Sequence, residues 1–491
     1  MPMKLLEPLT IRGMTLPNRV IVPAMVTRLA DEEGWVTADI IDRYVRYARG
    51  EVGLIVVEAM AVHHARSGPL LRLSDDRFIP GLAEMVTRVH AASESRIVPQ
   101  IIHFPKISRS GWRQTIDLLS EADIDLIVEQ FGDAARRARQ AGFDGVEVHA
   151  AHAYTLSSFL SRRNTRRDAY GGTLEGRLHM VGRVMETIRA KAGDDFPVAI
   201  RFLADEYIKD GYTIPEAKLI ALGLAQMGFD YISLSVGGKF EDVEHQPGKV
   251  PDPYSGYSGD RCMPGAWYPP ALHAGLAGEI KAFINAKGFR VPVAAAGKMS
   301  DPADAERALV DGQADLVGIA RGLLADPDWV RKLRLGQPER LIKCDYCNVC
   351  KHLDAAHKKV FCYLWPKGSL QAPPDEPDRK APAWGADGGG LSLRLVDGAV
   401  ELSWSKAEGA ARYDVYRAAD DGEVSVEDAV KVTSWTDATV LAGLRYRYYV
   451  RACGPAGQPG VPSNQVTVEP PLPDFRRKNR DMESAAVISA G

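Results

Sequence analysis

The sequence lacks any apolar run long enough to span a bilayer, which takes about 20 residues. Its first stretch, Met1 to Met14, mixes apolar with charged residues and Pro, so no secretory leader is expected there. Charge of one sign is also missing. Lys and Arg number 61 and Asp and Glu 64, a formal net charge of -3, so there is no electrostatic reason to expect nucleic acid or a membrane surface as partner. A cytoplasmic protein is expected. Cysteine is scarce, six in 491 residues, and four of the six crowd into one segment. In a cytoplasmic chain such crowding points to metal or redox chemistry more than to structural disulfides. The Gly-x-Gly-x-x-Gly fingerprint of dinucleotide binding after a strand is absent too.

At 491 residues, more than one domain is expected. From about Leu16 to Leu335, short β-branched runs alternate with longer amphipathic stretches. The runs are Arg19–Val22, Leu54–Val57, Ile97–Ile102, Gly145–Val148, Val198–Phe202, Tyr231–Ser235, Val293–Ala296 and Leu316–Ile319. Most are apolar throughout, as parallel strands buried on both faces should be. A helix is predicted over Ala122–Gln140, where Ile124, Ile127, Phe131 and Ala135 form one stripe. Eight such units fit a (β/α)8 TIM barrel, an α/β fold; an open doubly wound sheet is the competing architecture, disfavoured by the strand count and the missing glycine fingerprint.

Working residues in such a barrel sit where strands end. The mouths carry Pro23, Ala24 and Met25; Glu58 and Ala59; Gln100 and His103; His149, His152 and Tyr154; Arg201; Ser235; Gly297 and Lys298; and Ala320 and Arg321. The last two mouths suit a phosphate, through close backbone approach and a fork-shaped cation, although glycines there also serve as plain tight turns. The strand-four cluster admits metal ligands, acid–base groups or core residues. Glu147 shares the face of His149 but lies roughly 6–7 Å deeper, so hydrogen bonding ranks above metal binding. Two imidazoles can donate to one developing oxyanion, and a nearby tyrosine can deliver a proton.

The stretch Ala141-Gly-Phe-Asp-Gly-Val-Glu-Val-His-Ala-Ala-His-Ala-Tyr154, with Phe159-Leu-Ser161, Asn164, Arg167 and Asp168-Ala-Tyr-Gly-Gly172, resembles the Old Yellow Enzyme family. So do Leu16-Pro-Asn-Arg19, Gly53-Leu-Ile-Val-Val-Glu-Ala59 and Ala325-Asp-Pro327 with Trp329. The resemblance covers Met1 to Pro366 and implies bound FMN. Gln100 and Arg201 would hold the flavin pyrimidine, and Pro23, Ala24, Met25 and Ala59 would line the ring system. Gly297, Lys298, Ala320 and Arg321 would hold the phosphate. His149 and His152 would bind a substrate carbonyl, and Tyr154 would donate a proton.

Three positions depart from the family pattern. Ala153 stands where Gly is usual, His103-Phe-Pro-Lys106 replaces His-x-Gly-Arg, and Val26 stands where some members carry a flavin-tuning cysteine. The long stretch from Gly237 to about Trp267, with Tyr254, Tyr257, Trp267 and Tyr268, reads as a lid, a substrate wall or an ordinary surface excursion.

Cys344-x2-Cys347-x2-Cys350-x11-Cys362 suits a [4Fe–4S] cluster first, with a four-cysteine zinc site or an empty relic of such a site as the alternatives. Larger reductases of the family, such as 2,4-dienoyl-CoA reductase, carry the iron–sulfur cluster on a similar motif. After a Pro-, Asp- and Gly-rich linker, the pattern turns to short strands. Leu402-Ser-Trp404, Tyr413-x-Val-Tyr416 and Tyr446-x-Tyr-Tyr-Val450 resemble a fibronectin type III module. The expected organisation is therefore an FMN barrel over 1–340, a cysteine segment over 341–367, a linker over 368–390, a sandwich over 391–470 and a tail over 471–491.

The expected activity is reduction of an alkene conjugated to a carbonyl, an enone or enoyl thioester, with NADH, NADPH or a separate electron-donor protein as donor. The alternatives are a flavin/iron–sulfur dehydrogenase passing electrons to a partner protein and a non-catalytic binding scaffold. An aldolase would need a Schiff-base lysine or a metal set inside the barrel, and neither is evident. A homo-oligomer is expected.

Overall fold

Each of the eight apolar runs becomes a strand of one closed, all-parallel barrel. In chain order these are β1 (Val20–Val22), β2 (Leu54–Ala61), β3 (Arg96–Ile102), β4 (Val146–Ala150), β5 (Val198–Leu203), β6 (Tyr231–Ser235), β7 (Val293–Ala296) and β8 (Leu316–Gly318). The computed structural model describes residues 3–65, 68–104, 116–237, 261–266, 268–365, 369–375, 382–419, 424–455 and 459–472. Tyr254, Tyr257, Trp267, Pro105, Lys106 and the basic stretch 476–480 lie outside them. The chain divides into two compact units, Met1–Glu376 and Pro377–Gly491.

The barrel closes where β8 pairs with β1, Val317 opposite Val20 and Gly318 opposite Ile21. Strand alternation then sorts the interior into levels. Deep in the barrel, Ile21, Leu54, Val56, Val98, Ala199, Tyr231, Ala294 and Leu316 form one apolar cluster with Ile11, Met14 and Leu16. Those last three belong to a hairpin of Leu9–Ile11 and Met14–Leu16. Two residues further along, the inward positions turn polar: Gln100 after Val98, Arg201 after Ala199, Ser233 and Ser235 after Tyr231. The register places Gln100 beside Glu147 and Arg201 between His149 and Ser233. The floor is therefore greasy and the C-terminal mouth polar.

Two elements differ from expectation. Strand β2 runs on to Ala61, because Ala59, Met60 and Ala61 pair with Gln100, Ile101 and Ile102 after a register shift between Val57 and Ala59. The helix predicted from Ala122 begins one residue earlier, at Glu121, and ends at Gln140. Its start is fixed by a capping box in which Ser120 and Asp123 satisfy each other's backbone N–H groups. No helix among the described residues is long and apolar enough to cross a membrane.

The second unit holds two antiparallel sheets. One contains β9 (Ser392–Val396), β10 (Ala399–Ser403) and β13 (Ser434–Asp437). The other contains β11 (Arg412–Ala419), β12 (Val424–Val430), β14 (Tyr446–Cys453), β15 (Pro459–Pro462) and β16 (Val466–Val468). Val400, Leu402, Trp404, Tyr413, Val415, Tyr446, Tyr448 and Val450 belong to one buried apolar core. Tyr446 accepts a hydrogen bond at its hydroxyl from the Leu441 N–H at 2.8 Å.

Behind the barrel mouth, the chain after β8 is held by a buried ion pair. Lys332 Nζ lies 2.7 Å from Asp326 Oδ2, with the side chains 4% and 2% exposed. Asp326 also accepts from the Ile342 N–H at 2.8 Å, and Lys332 donates to the Arg340 carbonyl at 3.1 Å. Removing one partner strands the other charge in a low-dielectric interior. Lys332→Met is expected to lower the free energy of unfolding by about 3–5 kcal/mol, measured by urea denaturation; a loss below about 1 kcal/mol, the level of an exposed pair, contradicts this placement.

Candidate active site

The barrel mouth opens into a pocket, and all thirteen residues expected there from sequence as flavin- or substrate-facing line it. They are Pro23, Ala24, Met25, Ala59, Gln100, His149, His152, Tyr154, Arg201, Gly297, Lys298, Ala320 and Arg321. Seven barrel strands contribute them, so the set exists only because the sheet closes on itself.

Beneath the pocket lies a buried polar truss. Gln100 Nε2 donates to Glu147 Oε1 at 2.7 Å, and the Tyr231 hydroxyl donates to Glu147 Oε2 at 3.0 Å. Glu147 is buried, which raises its pKa, while the Arg201 guanidinium nearby opposes the shift. Glu147 thus works below the pocket, orienting the Gln100 amide, and does not line it. Arg201 is 8% exposed and donates from Nη2 to Ser235 Oγ at 3.4 Å, while its Nε has no hydrogen-bond partner among the described residues.

At the far end two cations sit together. Lys298 donates to the carbonyls of Ala266 at 2.8 Å and of Tyr268. Arg321 donates to the Pro264 carbonyl at 2.8 Å and to the Asn348 side chain. Both lie over the Tyr346 ring, at 4.7 and 4.8 Å from its centroid. Neither has an acidic partner among the described residues, and burial together with Arg321 lowers the Lys298 pKa to about 8. Gly297 has φ +113, and a Cβ there would lie 2.4 Å from His273 Nδ1. The turn therefore requires glycine and exposes backbone to the pocket. Two buried cations beside a bare backbone turn fit a phosphate; the orphaned Arg201 Nε fits an acceptor atom on a planar ligand between the two ends.

On the third side the rings of His149, His152 and Tyr154 meet. His149 lies 5.0 Å from His152 and 5.2 Å from Tyr154, centroid to centroid. His149 Nδ1 accepts from the Ala151 N–H at 3.3 Å, which leaves Nε2 to carry the proton of the neutral ring. His152 Nε2 faces Ser235 Oγ at 2.7 Å and Cys262 Sγ at 3.1 Å. His152 and Ala153 both have φ +58. That explains why glycine is usual at the position of Ala153: it takes the left-handed conformation without cost. His103, whose Nδ1 pairs with Thr155 Oγ1 at 2.8 Å, is held neutral by burial, with its pKa lowered to about 3.

The expected metal chemistry is overturned. Among the described residues no group of three or more His, Cys, Asp or Glu side chains is arranged to hold a metal ion. Cys344, Cys347, Cys350 and Cys362 therefore make neither a [4Fe–4S] nor a zinc site, and an iron–sulfur or metal-binding assignment falls with them. The motif's spacing is interrupted by turns: Tyr346 and Asn348 are left-handed, and the helix Val349–Ala355 starts between the second and third cysteines. Cys350 and Cys362 pack against the apolar cluster of Leu324, Val360, Trp365 and Ala372. Arg321 joins the wall of the small cavity among the four. Burial raises all four thiols, Cys344 to about 12. What the segment does provide is pocket wall: Tyr346, Cys350, Lys351 and Asp354.

Residues 4–117, 106–241 and 278–340 match the family model described as NADH:flavin oxidoreductase / NADH oxidase. The chain belongs to that family. It is 33% identical over 364 residues to an NADH oxidase of Thermoanaerobacter brockii, covering 69% of this chain and 52% of that protein. It is 33% identical over 341 residues to an NADPH dehydrogenase of Geobacillus thermodenitrificans, covering 66% of this chain and 92% of that protein. The chain thus spans about half the length of the T. brockii relative. A 2-naphthoyl-CoA reductase structure superposes with a TM-score of 0.65 at 24% identity, over 73% of this chain and 56% of that one, a likeness of fold. The Old Yellow Enzyme-like barrel is thereby shown.

Three residues of this flavin oxidoreductase barrel have a place in the site that the sequence did not reveal, although Glu58 and Ser235 stood out as strand-mouth residues. Ser235 links Arg201 to His152, and only its place at the end of β6 hinted at this. Cys262 lines the pocket from a segment with no periodicity. Glu58 lies fully buried behind Ala59. Its Oε2 accepts from the Thr27 N–H at 2.9 Å and the Tyr44 hydroxyl at 3.4 Å, and its Oε1 has no partner among the described residues.

Burial raises the Glu58 pKa from 4.5 to about 7. A carboxyl raised in the folded state is proton-bound more tightly there than in the unfolded chain. Its penalty is absent below about pH 4.5 and stability is lost as pH rises through about 7. Glu58→Gln is expected to remove this slope, gaining about 2–3 kcal/mol on wild type between pH 5 and pH 8, read from chemical denaturation at the two pH values; parallel stability curves contradict it. Ala153→Gly is expected to raise the thermal midpoint by relieving about 1 kcal/mol of left-handed strain, and a lower midpoint would show that Ala153 is not strained.

Proposed function

We propose that this chain is an FMN-dependent reductase of alkenes conjugated to a carbonyl. The observation that carries the reading is the convergence on one pocket of Lys298 and Arg321, cations with no acidic partner among the described residues, with Arg201 and the His149, His152 and Tyr154 rings. Lys298, Arg321, Gly297 and Ala320 would hold the FMN phosphate. Arg201 and Gln100 would hold the pyrimidine edge, Gln100 aligned by Glu147. Pro23, Ala24, Met25 and Ala59 would border the ring system.

FMN held there would supply the hydride-transfer chemistry, with NADH or NADPH as the expected source of electrons. The protein's own part is polarisation and proton delivery. Negative charge grows on the carbonyl oxygen as hydride arrives, and the His149 Nε2–H is a donor already oriented by its Nδ1 contact with Ala151. His152 would act as the second donor. The Tyr154 hydroxyl would protonate the α-carbon, as a general acid held against the His149 ring. The substrate class is an enone or an enoyl thioester.

In the second unit we read a fibronectin type III module. The three-stranded sheet facing a larger antiparallel one, the buried Trp404 and the Tyr446 hydroxyl bonded back to Leu441 support that reading. Its role is a spacer or docking surface.

Acid-denatured holoprotein is expected to release FMN, identified by chromatography; FAD, or no flavin, contradicts the phosphate assignment. His149→Ala is expected to retain FMN and lose about 100- to 1,000-fold in the rate of enone reduction. Tyr154→Phe is expected to slow flavin reoxidation by the alkene while sparing flavin reduction by NADPH, in stopped-flow; equal slowing of both half-reactions makes Tyr154 structural.

A further inference from the structure

Cys262 lies in the pocket wall, half-buried, and it is not an isolated thiol. Its Sγ is 3.1 Å from His152 Nε2, and the Ser235 hydroxyl lies 2.7 Å from the same nitrogen and 4.0 Å from the sulfur. A thiol beside an imidazole nitrogen is the arrangement that makes cysteine nucleophilic, because the ring can take the thiol proton as sulfur attacks. The wall it shares is one built for a ligand: Arg201, more than nine-tenths buried and joined to the group through Ser235 at 3.4 Å, keeps an Nε with no partner among the described residues, so the thiol borders the space proposed for the flavin and its substrate. The family match stops at residue 241 and resumes at 278, so Cys262 comes from a part of the chain outside that match.

We infer that Cys262 is a covalent capture site for small α,β-unsaturated carbonyl compounds, activated by His152. The inference rests on the proposed substrate class. Compounds drawn into this pocket for reduction carry an electrophilic β-carbon, and a soft sulfur nucleophile competes with hydride for that carbon. In the step, the Sγ–Cβ bond forms as the C=C π bond breaks, and the thiol proton passes by way of His152 Nε2 to the carbon next to the carbonyl. Nothing is oxidised or reduced. The adduct blocks the pocket, so an excess of reactive alkene inhibits the protein when electrons are short.

Among the described residues no imidazole lies against the other cysteines. Cys344, Cys347, Cys350 and Cys362 have thiols raised by burial, and Cys453 is buried against Asp414 with its pKa raised to about 12. The test treats oxidised holoprotein, without NADH or NADPH, with N-ethylmaleimide and separately with 2-cyclohexenone. Peptide mass spectrometry follows each cysteine over time. Cys262 is expected to label about tenfold or more faster than any other cysteine, and His152→Ala is expected to slow that labelling about tenfold with FMN content retained. Labelling of Cys262 no faster than the rest, or at an unchanged rate in His152→Ala, overturns the inference. A protein that reduces alkenes with Cys262 unlabelled loses this inference alone. One that labels quickly at Cys262 but reduces no alkene loses the reductase reading and keeps the capture site.

Discussion

The pairing of β8 with β1 is short, and the site depends on it. Two residue pairs, Val317 with Val20 and Gly318 with Ile21, close the sheet. That closure sets the loop from Gly318 to Arg321 beside Pro23, Ala24 and Met25, nearly three hundred residues away in sequence. Gly318 is the fitting residue for this approach: a Cβ there would come within 3.1 Å of Ala296 Cβ and 3.6 Å of Pro23 Cγ. An open sheet built from the same strands would leave the two cations of the seventh and eighth mouths far from the first.

Given closure, period-two alternation does the rest. The interior is filled by apolar side chains at its lower level, so polar inward residues one level up cannot reach bulk water from below. They satisfy one another instead, as Gln100, Glu147 and Tyr231 do, or face the pocket, as Arg201 does. The result is an asymmetric field. The buried carboxyls Glu147 and Glu58 lie behind the wall, whereas Arg201, Lys298, Lys351 and Arg321 line it beside one carboxylate, Asp354, which is paired with Arg28. A pocket with that polarity is suited to an anionic, hydrogen-bond-accepting ligand.

Much of this was legible in the residue order. The eight runs stood out because strands buried on both faces are apolar throughout, and the residues just after them named the pocket because a parallel barrel puts every strand end at one mouth. The cysteine segment was misread for a physical reason. Spacing reports distance along the chain, whereas donor convergence depends on backbone turns such as the left-handed Tyr346 and Asn348, which no periodicity announces. Cys262 was illegible for a related reason: it is carried by a loop, and only the tertiary fold places its sulfur against His152. Ser235 was visible as a strand end, but its bridging of Arg201 and His152 needed the register of β4, β5 and β6.

On the reading proposed above, the barrel mouth holds a flavin which takes electrons from a nicotinamide donor and gives them to a conjugated alkene. The most direct measurement is anaerobic absorbance near the flavin maximum, first on adding NADH or NADPH and then on adding 2-cyclohexenone. Bleaching by at least one of the two donors and full recovery of the oxidised spectrum with the alkene are expected. A flavin band that the donors leave unchanged, or that stays bleached when the alkene is added, would contradict that reading.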